Sequence, residues 1–256
     1  MIRLALNASR ALLHARTHAR GWFVYLQTAR DEVYNTPIIT NLITLLLVVS
    51  FLLRYLIDTN LFANQFALTV NGYQYWRIFT TPLVYVAGIN GAQMLYMRDK
   101  LKEMELILGS ILMLVLFVNS MVAVNCLHLI ITWSIYFWMN DESILMEGSG
   151  GTWSVFLAMV GVMRYQPAHE IGSVLHPFIL TFFFSGQLDL TNVLGLIIGY
   201  VFGRTECWKV KEVDSVMRWE TSLWEVLVTR RGFVSFANSR EHVLEMEQRR
   251  AQDDMV

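Results

Sequence analysis

The sequence predicts an all-α membrane protein, in which six transmembrane helices form a bundle and an amphipathic helical tail follows them. Three observations predict this fold class. Of the 256 residues, 55% are apolar and 16% are charged, and the mean hydropathy is +0.42, whereas a soluble domain is about 25% charged. Apolar runs near the length that crosses a bilayer recur along the chain. The basic residues gather on one side of the resulting topology.

The six predicted spans differ in length and regularity. The first is the clearest and begins just after Pro37, where a proline suits the first turn of a helix. The second contains Pro82, Gly88 and Gly91, so we expect it to be kinked. The third is too long for one straight crossing, and we expect its end at the membrane interface. The predicted bounds are Ile38 to Ile57, about Ile78 to Met97, about Leu106 to Trp133 with an apolar extension to Met139, about Gly151 to Met163, about Ile171 to Ser185, and about Leu190 to Phe202.

Charge placement favours an even number of spans. With six crossings both termini share one side, and that side receives 18 of the 20 Lys and Arg residues. The short connections agree, because the predicted loop at 98–105 holds three basic residues and the loop at 139–148 holds three acids and no base. Since cationic loops stay on the side from which the chain inserts, we expect both termini on that side.

The two ends of the chain differ in composition from the spanning region, 37–203. In the segment 1–36, the first 30 residues contain five Arg, two His and no acid. This is typical of a mitochondrial targeting segment and also of a basic helix on a membrane surface. The polar tail, 204–256, places apolar residues at near-helical spacing, which predicts an amphipathic helix on the bilayer or on a partner. Asn238 with Glu241 predicts the capping pair of a last helix.

Three local features lie in the spanning region in a fixed order. They are Trp76-Arg77 before the second span, Glu105-x-x-x-Gly109-Ser110 entering the third, and Gly148-Ser149-Gly150-Gly151 before the fourth, followed by Gly195-x-x-x-Gly199-x-x-x-Gly203 in the sixth. Glycines on one helix face let another backbone approach closely, and we expect the Arg77 guanidinium to reach carbonyls or an acid. Together these features resemble the rhomboid superfamily over about residues 36–205. The resemblance implies a six-helix rhomboid-like bundle in which the sixth helix packs on the fourth.

The resemblance also implies where a protease of this superfamily carries its reactive groups. The serine nucleophile at the start of helix four corresponds here to Gly150, or to Ser149 after a shift of one residue. The histidine base on helix six corresponds to Asn192. An amide has no useful basicity near neutral pH and cannot accept the serine proton. The sequence therefore predicts a protein that resembles an intramembrane serine protease but is not an enzyme.

The remaining chemistry also departs from a hydrolase. The oxyanion positions that the resemblance implies in helix two correspond to Tyr85, Asn90 and Met94, and a methionine cannot donate a hydrogen bond to a developing oxyanion. No histidine and cysteine cluster has the spacing of a metal site, so we expect no metal and no cofactor. The formal net charge of −1 gives no general attraction to nucleic acid.

These features predict a structural or client-binding subunit of a mitochondrial inner-membrane complex, either a respiratory complex, an ATP synthase or a translocase. Both termini then face the matrix, and the partners are membrane lipid and other transmembrane subunits or clients. One alternative is a derlin-like component of retrotranslocation in the endoplasmic reticulum, with both termini cytosolic. The other is an active intramembrane serine protease that uses Ser149.

Overall fold

The structure is a computed structural model whose described residues are mostly helical, which confirms the all-α class. It describes residues 36–53, 55–81, 91–149, 152–164, 190–205, 233–235, 238–241, 243–245 and 248. The elements in chain order are α1 (Ile38–Leu53), a 3-10 turn (Thr59–Phe62), β1 (Asn64–Gln65), a π-helical turn (Ala67–Asn71), α2 (Arg77–Thr80), α3 (Gly91–Leu108), α4 (Ser110–Met139), α5 (Ser143–Met146), β2 (Gly148–Ser149), α6 (Thr152–Met163) and α7 (Leu190–Thr205).

The boundary between the second and third predicted spans differs from the sequence prediction. The predicted loop at 98–105 is wrong, because these residues are helical and α3 runs on to Leu108. The chain turns instead at Gly109, whose φ of 82° lies in the left-handed region that residues with a Cβ rarely adopt. α4 then continues for 30 residues to Met139, so the apolar extension beyond Trp133 belongs to the same helix.

Helix length separates α4 from the other apolar helices. Within the described ranges, α4 is the one helix long and apolar enough to cross a membrane by itself, and α1, α6 and α7 are shorter apolar helices. The N-terminal segment up to residue 35, the fifth predicted span at 171–185 and most of the tail lie outside the described residues.

α6 is buried on every side. All twelve of its residues are buried, as expected for a helix that is apolar all round. It packs against α7 and α4, and its Phe156 meets Tyr96 of α3 edge-to-face with ring centroids 6.2 Å apart. The core cluster is completed by side chains from α1, α3 and α4.

The described chain has two distinct ends along the helix axes. At the junction end, the start of α1 meets the turn between α3 and α4, where the Ile39 amide donates to Glu105. At the loop end, β1 lies within the first loop, which we define as residues 55–81, and pairs antiparallel with β2. Described cations on the main helices gather in the half toward the junction end, together with three acids of α3, whereas acids outnumber cations at the loop end. The junction-end cations are Arg98, Lys100, Lys102, Arg164 and Arg204, and the loop end holds Asp58, Asp141, Glu142 and Glu147 beside Arg77.

A short part of the tail docks at the junction end. The Ser110 amide donates to the Val234 carbonyl at 2.8 Å, and the Val234 amide donates back to Ser110 Oγ at 3.0 Å. Residues 238–241 are helical, but the predicted capping role of Asn238 is wrong. Ser235 Oγ instead accepts from the Asn238 amide at 3.2 Å, the contact that an N-cap serine makes.

Candidate functional site

Arg77 anchors the first loop from within. It is 4% exposed, and its Nη1 donates to the Ala63 carbonyl at 2.9 Å while Nε donates to Gln74 Oε1 at 2.7 Å. The guanidinium also lies 5.1 Å from the centroid of the Trp76 ring, within the range of a cation–π contact. A buried charge requires such partners, so the expectation that Arg77 reaches a carbonyl is confirmed.

An asparagine network fixes the same loop against α4. Asn64 Nδ2 donates to the Asn125 carbonyl at 3.1 Å, and Thr69 Oγ1 donates to Asn64 Oδ1 at 2.9 Å. Asn125 Nδ2 donates to the Ile78 carbonyl at 3.2 Å and to the Met121 carbonyl at 2.9 Å. Because Asn64 and Asn125 are both buried, these bonds satisfy polar groups that would otherwise be costly in an apolar core.

The glycine-rich motif before α6 is held by this anchored loop. Asn64 pairs with Ser149 and Gln65 pairs with Gly148 in the two-residue ribbon. A Cβ added at Gly148 would lie 2.9 Å from Ala63 Cβ, so only a residue without a side chain fits unshifted. The Ser149 backbone is therefore positioned by the first loop, whereas Gly150 lies outside the described residues.

α6 and α7 run parallel with their backbones in close contact. A Cβ added at Gly195 would overlap the Ser154 carbonyl, and one added at Gly199 would lie 2.5 Å from the Ala158 carbonyl. Residue numbers rise together along the two helices, which makes the pair parallel. Gly203 is buried one turn further on. This agrees with the expectation from glycine spacing that another backbone packs on this face.

Asn192, in the first turn of α7, lies close in space to the start of α6. It precedes Gly195 by three residues, about 4.5 Å along the helix axis, and Gly195 lies against Ser154. Asn192 is buried, as are the neighbouring Thr191 and the two hydroxyl residues that open α6, Thr152 and Ser154. The parallel pair thus brings the predicted base position toward the glycine-rich motif. The group at that position is an amide, which forms hydrogen bonds but does not take up a proton near neutral pH.

The predicted oxyanion positions are only partly described. Met94 lies on α3 and packs, half-buried, against the core cluster, a packing role for its apolar side chain. Tyr85 and Asn90 lie outside the described residues. His128, one turn after Asn125, is buried within α4.

The Glu105 motif lies at the junction end of the bundle and links the helices that meet there. Glu105 is fully buried and accepts four hydrogen bonds. Its partners are the Ile39 amide at 3.0 Å, the Thr40 amide at 2.7 Å, Thr40 Oγ1 at 2.8 Å and Ser110 Oγ at 2.6 Å. A carboxylate at the amino end of α1 satisfies amides that lack partners within the helix and complements its dipole. Glu105 therefore joins α1, α3 and α4, and through Ser110 it reaches the docked tail.

Sequence reasoning missed two parts of this arrangement. It did not find the partners of Glu105, although a single acid entering an apolar run, with a serine five residues later, is a usable signal. It also did not find the contact between Asn64 and Asn125, 61 residues apart. Among the described residues, no three His, Cys, Asp or Glu side chains are grouped so as to hold a metal ion. No family model matches the chain, and neither a curated protein nor a solved structure is significantly similar to it.

Proposed function

We propose that the chain is a non-catalytic, rhomboid-like integral membrane protein that acts as a structural or client-binding subunit of a mitochondrial inner-membrane complex, either a respiratory complex, an ATP synthase or a translocase. One observation carries the proposal: parallel α6 and α7 meet through glycines, and Asn192 occupies the place near the start of α6 where the resembled proteases carry their base. The proposal therefore combines a rhomboid-like arrangement of α6 and α7 with an amide in place of a proton acceptor at position 192.

Exposed apolar faces support membrane embedding. α1 buries one face and exposes four aliphatic side chains on the other, spaced three or four residues apart. α4 and α7 expose further large apolar side chains, many of them aromatic. The exposed residues are Leu42, Leu45, Val48 and Leu52 on α1, Ile130, Trp133, Phe137 and Trp138 on α4, and Ile197, Tyr200 and Val201 on α7. Surfaces of this kind are covered by lipid or by a partner.

Six crossings belong to the proposal. Because α6 and α7 are parallel neighbours, α6 ends and α7 begins at opposite ends of the described bundle, and a fifth span at 171–185, outside the described residues, would fit that arrangement. α6 has twelve residues, whereas a helix needs about 20 residues to cross a bilayer unaided. Local thinning of the bilayer or cover from neighbouring helices accommodates such mismatch.

Two charge features support the mitochondrial assignment. The basic N-terminal segment, whose first 30 residues contain no acid, is typical of matrix targeting, and the described cations of the main helices gather toward the junction end, which favours the matrix side for that end. Both termini then face the matrix. Membrane lipid and the transmembrane helices of other subunits or clients are the partners that the exposed apolar faces require.

The test of location and partnership uses the full-length chain with a C-terminal tag in its own cells. We expect it to fractionate with inner mitochondrial membranes, to migrate on native gels as a fixed high-mass band, and to co-purify with a constant set of membrane subunits. A reporter fused to residues 1–35 should be imported into mitochondria. Retention of the whole chain in the endoplasmic reticulum would replace this proposal with the derlin-like alternative.

The test of catalysis uses the purified chain and a model transmembrane substrate. We expect no cleavage by the natural sequence and none by Ser149→Ala. Cleavage by the natural sequence that disappears in Ser149→Ala would establish the protease alternative and overturn the non-catalytic assignment. The control is an active intramembrane serine protease assayed in the same detergent on the same substrate.

A further inference from the structure

The docked part of the tail contacts the turn between α3 and α4 at two points. The first point is Ser110, the first residue of α4, whose amide donates to the Val234 carbonyl at 2.8 Å and whose Oγ accepts from the Val234 amide at 3.0 Å. The second point is Ile107 in the last turn of α3, whose carbonyl accepts from Ser239 Oγ. We call residues 233–235 together with Ser239 the strap.

The strap satisfies one backbone group at the end of each of these helices. An amide in the first turn of a helix and a carbonyl in its last turn have no partner within that helix, and the Ser110 amide and the Ile107 carbonyl are groups of this kind. Ser110 and Ser239 are 1% and 2% exposed, so water is largely excluded from both contacts. Since a buried polar group without a partner is unfavourable, docking of the strap is favoured for the same reason as helix capping.

Hydrogen bonds within the tail join the two contact points. The Ser235 carbonyl accepts from the Ser239 amide at 2.9 Å, and Ser235 Oγ accepts from the Asn238 amide at 3.2 Å. Val243, one turn beyond Ser239, is partly buried against the core cluster. Because the two points belong to one hydrogen-bonded unit, loss of one contact is expected to loosen the other.

Ser110 also connects the strap to α1. Its hydroxyl accepts from the Val234 amide and donates to Glu105 Oε1 at 2.6 Å. The same carboxylate oxygen accepts from the Ile39 amide at 3.0 Å, and the second oxygen accepts from the Thr40 amide at 2.7 Å. Hydrogen bonds in such a chain polarise one another, so a hydroxyl that accepts a hydrogen bond donates a stronger one.

We propose that the strap is a conformational device whose docking on the α3–α4 turn is coupled, through the Ser110 hydroxyl and the Glu105 carboxylate, to the hydrogen bonds at the amino end of α1. Coupling of this kind is reciprocal, so a docked strap holds the start of α1, and a fixed α1 favours docking. A partner that binds the tail therefore also acts on α1. The inference depends on neither the location nor the partners in the proposed function.

The coupling is tested by amide exchange of the full-length protein in mild detergent, with Ser239→Ala and the neighbouring exposed control Arg240→Ala. Ser239→Ala removes one of the two contact points and leaves the Glu105 network in place. We expect it to speed exchange at 233–235 about tenfold, the effect of one lost hydrogen bond. We expect exchange of the two α1 amides bound to Glu105 to rise about twofold or more, with α6 unchanged as the sign that the chain stays folded. Arg240→Ala should change neither region.

The route through the hydroxyl is tested by repeating the comparison in Ser110→Ala protein. This substitution removes the hydroxyl link but keeps the backbone amide that donates to the Val234 carbonyl. We expect Ser239→Ala to speed exchange at 233–235 in this background and to leave the α1 amides unchanged. Persistence of the α1 effect there would overturn the route. In protein that retains the hydroxyl, unchanged α1 amides, unchanged exchange at 233–235, or equal effects of Ser239→Ala and Arg240→Ala would each overturn the coupling.

Discussion

Glu105→Ala is expected to be the most damaging single substitution at the junction end. The change removes a buried carboxylate that accepts from the Ile39 amide, the Thr40 amide, the Thr40 hydroxyl and the Ser110 hydroxyl. The two hydroxyls are able to rotate toward other acceptors. The two amides are fixed in the first turn of α1, where no carbonyl precedes them within the helix, so they lose their partners.

The magnitude follows from those two amides. Leaving a buried donor unsatisfied costs about 1–3 kcal/mol, which gives about 2–6 kcal/mol for the pair, and removing a desolvated carboxylate recovers part of this cost. A net loss of about 3 kcal/mol corresponds to a fall in Tm of about 6–12 °C at 2–4 °C for each kcal/mol, the range for chains of 150–250 residues. Glu105→Gln keeps one acceptor oxygen and is expected to fall between Glu105→Ala and the natural sequence.

The assay is a tryptophan-fluorescence melt in detergent, with Glu103→Ala as the matched control. Glu103 lies on the same helix and pairs with Lys100 at 2.8 Å, but both side chains are partly exposed, and such pairs contribute about 0–1 kcal/mol. Amide exchange at 233–235 supplies a second readout, because Ser110 joins Glu105 to the tail. Equal melting shifts for Glu103→Ala and Glu105→Ala, with unchanged tail exchange, would refute the reasoning.

Three further outcomes are expected. Gly199→Leu forces a side chain into the α6 backbone and should lower stability by about 1–3 kcal/mol in thermal melts, whereas Ile197→Ala on the exposed face of α7 should change it little. Arg77→Lys keeps the charge but loses the guanidinium fork, so limited proteolysis should cut the first loop faster. Hydrogen bonds from the Ser143 hydroxyl and amide lower the pKa of Asp141. This contact therefore stabilises the folded state at pH values above the pKa of the unfolded chain, and that stabilisation is lost as the pH falls through the lowered pKa of the folded protein. The Ser143 amide proton shift should therefore titrate at lower pH in the protein than in an unstructured peptide, and equal midpoints would contradict the assignment.

The sequence predicted well those helices whose boundaries are set by local chemistry. α1 begins at Ile38, directly after Pro37, and α6 ends at Met163, as predicted. The predicted end of the first span at Ile57 is wrong, because α1 ends at Leu53 and residues 55–57 form a turn. The start of α6 differs by one residue from the prediction at Gly151. α7 extends three residues beyond Phe202, to Thr205. In each case an apolar run is bounded by proline, glycine or charge, so hydropathy and backbone preference change at nearly the same place.

The predicted boundary at 98–105 is wrong because hydropathy and backbone preference change at different positions there. Charged residues such as Arg98 and Lys102 made the segment resemble a loop, but lysine, arginine and glutamate are favourable in helices. The backbone turns only at Gly109, where φ is positive, and nothing in the hydropathy marks that position. The tail cap shows a related limit, because Ser235 and Asn238 are both suitable caps and the docking of Val234 on Ser110 decides between them.

At the candidate site, the sequence identified residues whose type already restricts their environment. A buried arginine requires acceptors, and helical glycines at a four-residue spacing predict close packing, so Arg77 and Gly199 were placed in the correct kind of contact. The Asn64–Asn125 contact depends on how the first loop lies on α4. Local patterns carry no information on such a long-range pairing.

Hydrogen bonds at the loop end hold the first loop on α4 independently of the residue at position 192. Arg77, Asn64 and Asn125 bond to the first loop and to α4, and removing one of them leaves a buried partner unsatisfied, at about 1–3 kcal/mol or more for a charge. These side chains therefore stabilise the fold. Asn192 lies on α7, outside the hydrogen bonds named here, so a substitution there should leave these anchors intact. We expect Asn192→His to leave the proteolytic resistance of the first loop unchanged, whereas Asn125→Ala should lower it sharply. Equal effects of the two substitutions would show that anchoring of the first loop and position 192 are coupled.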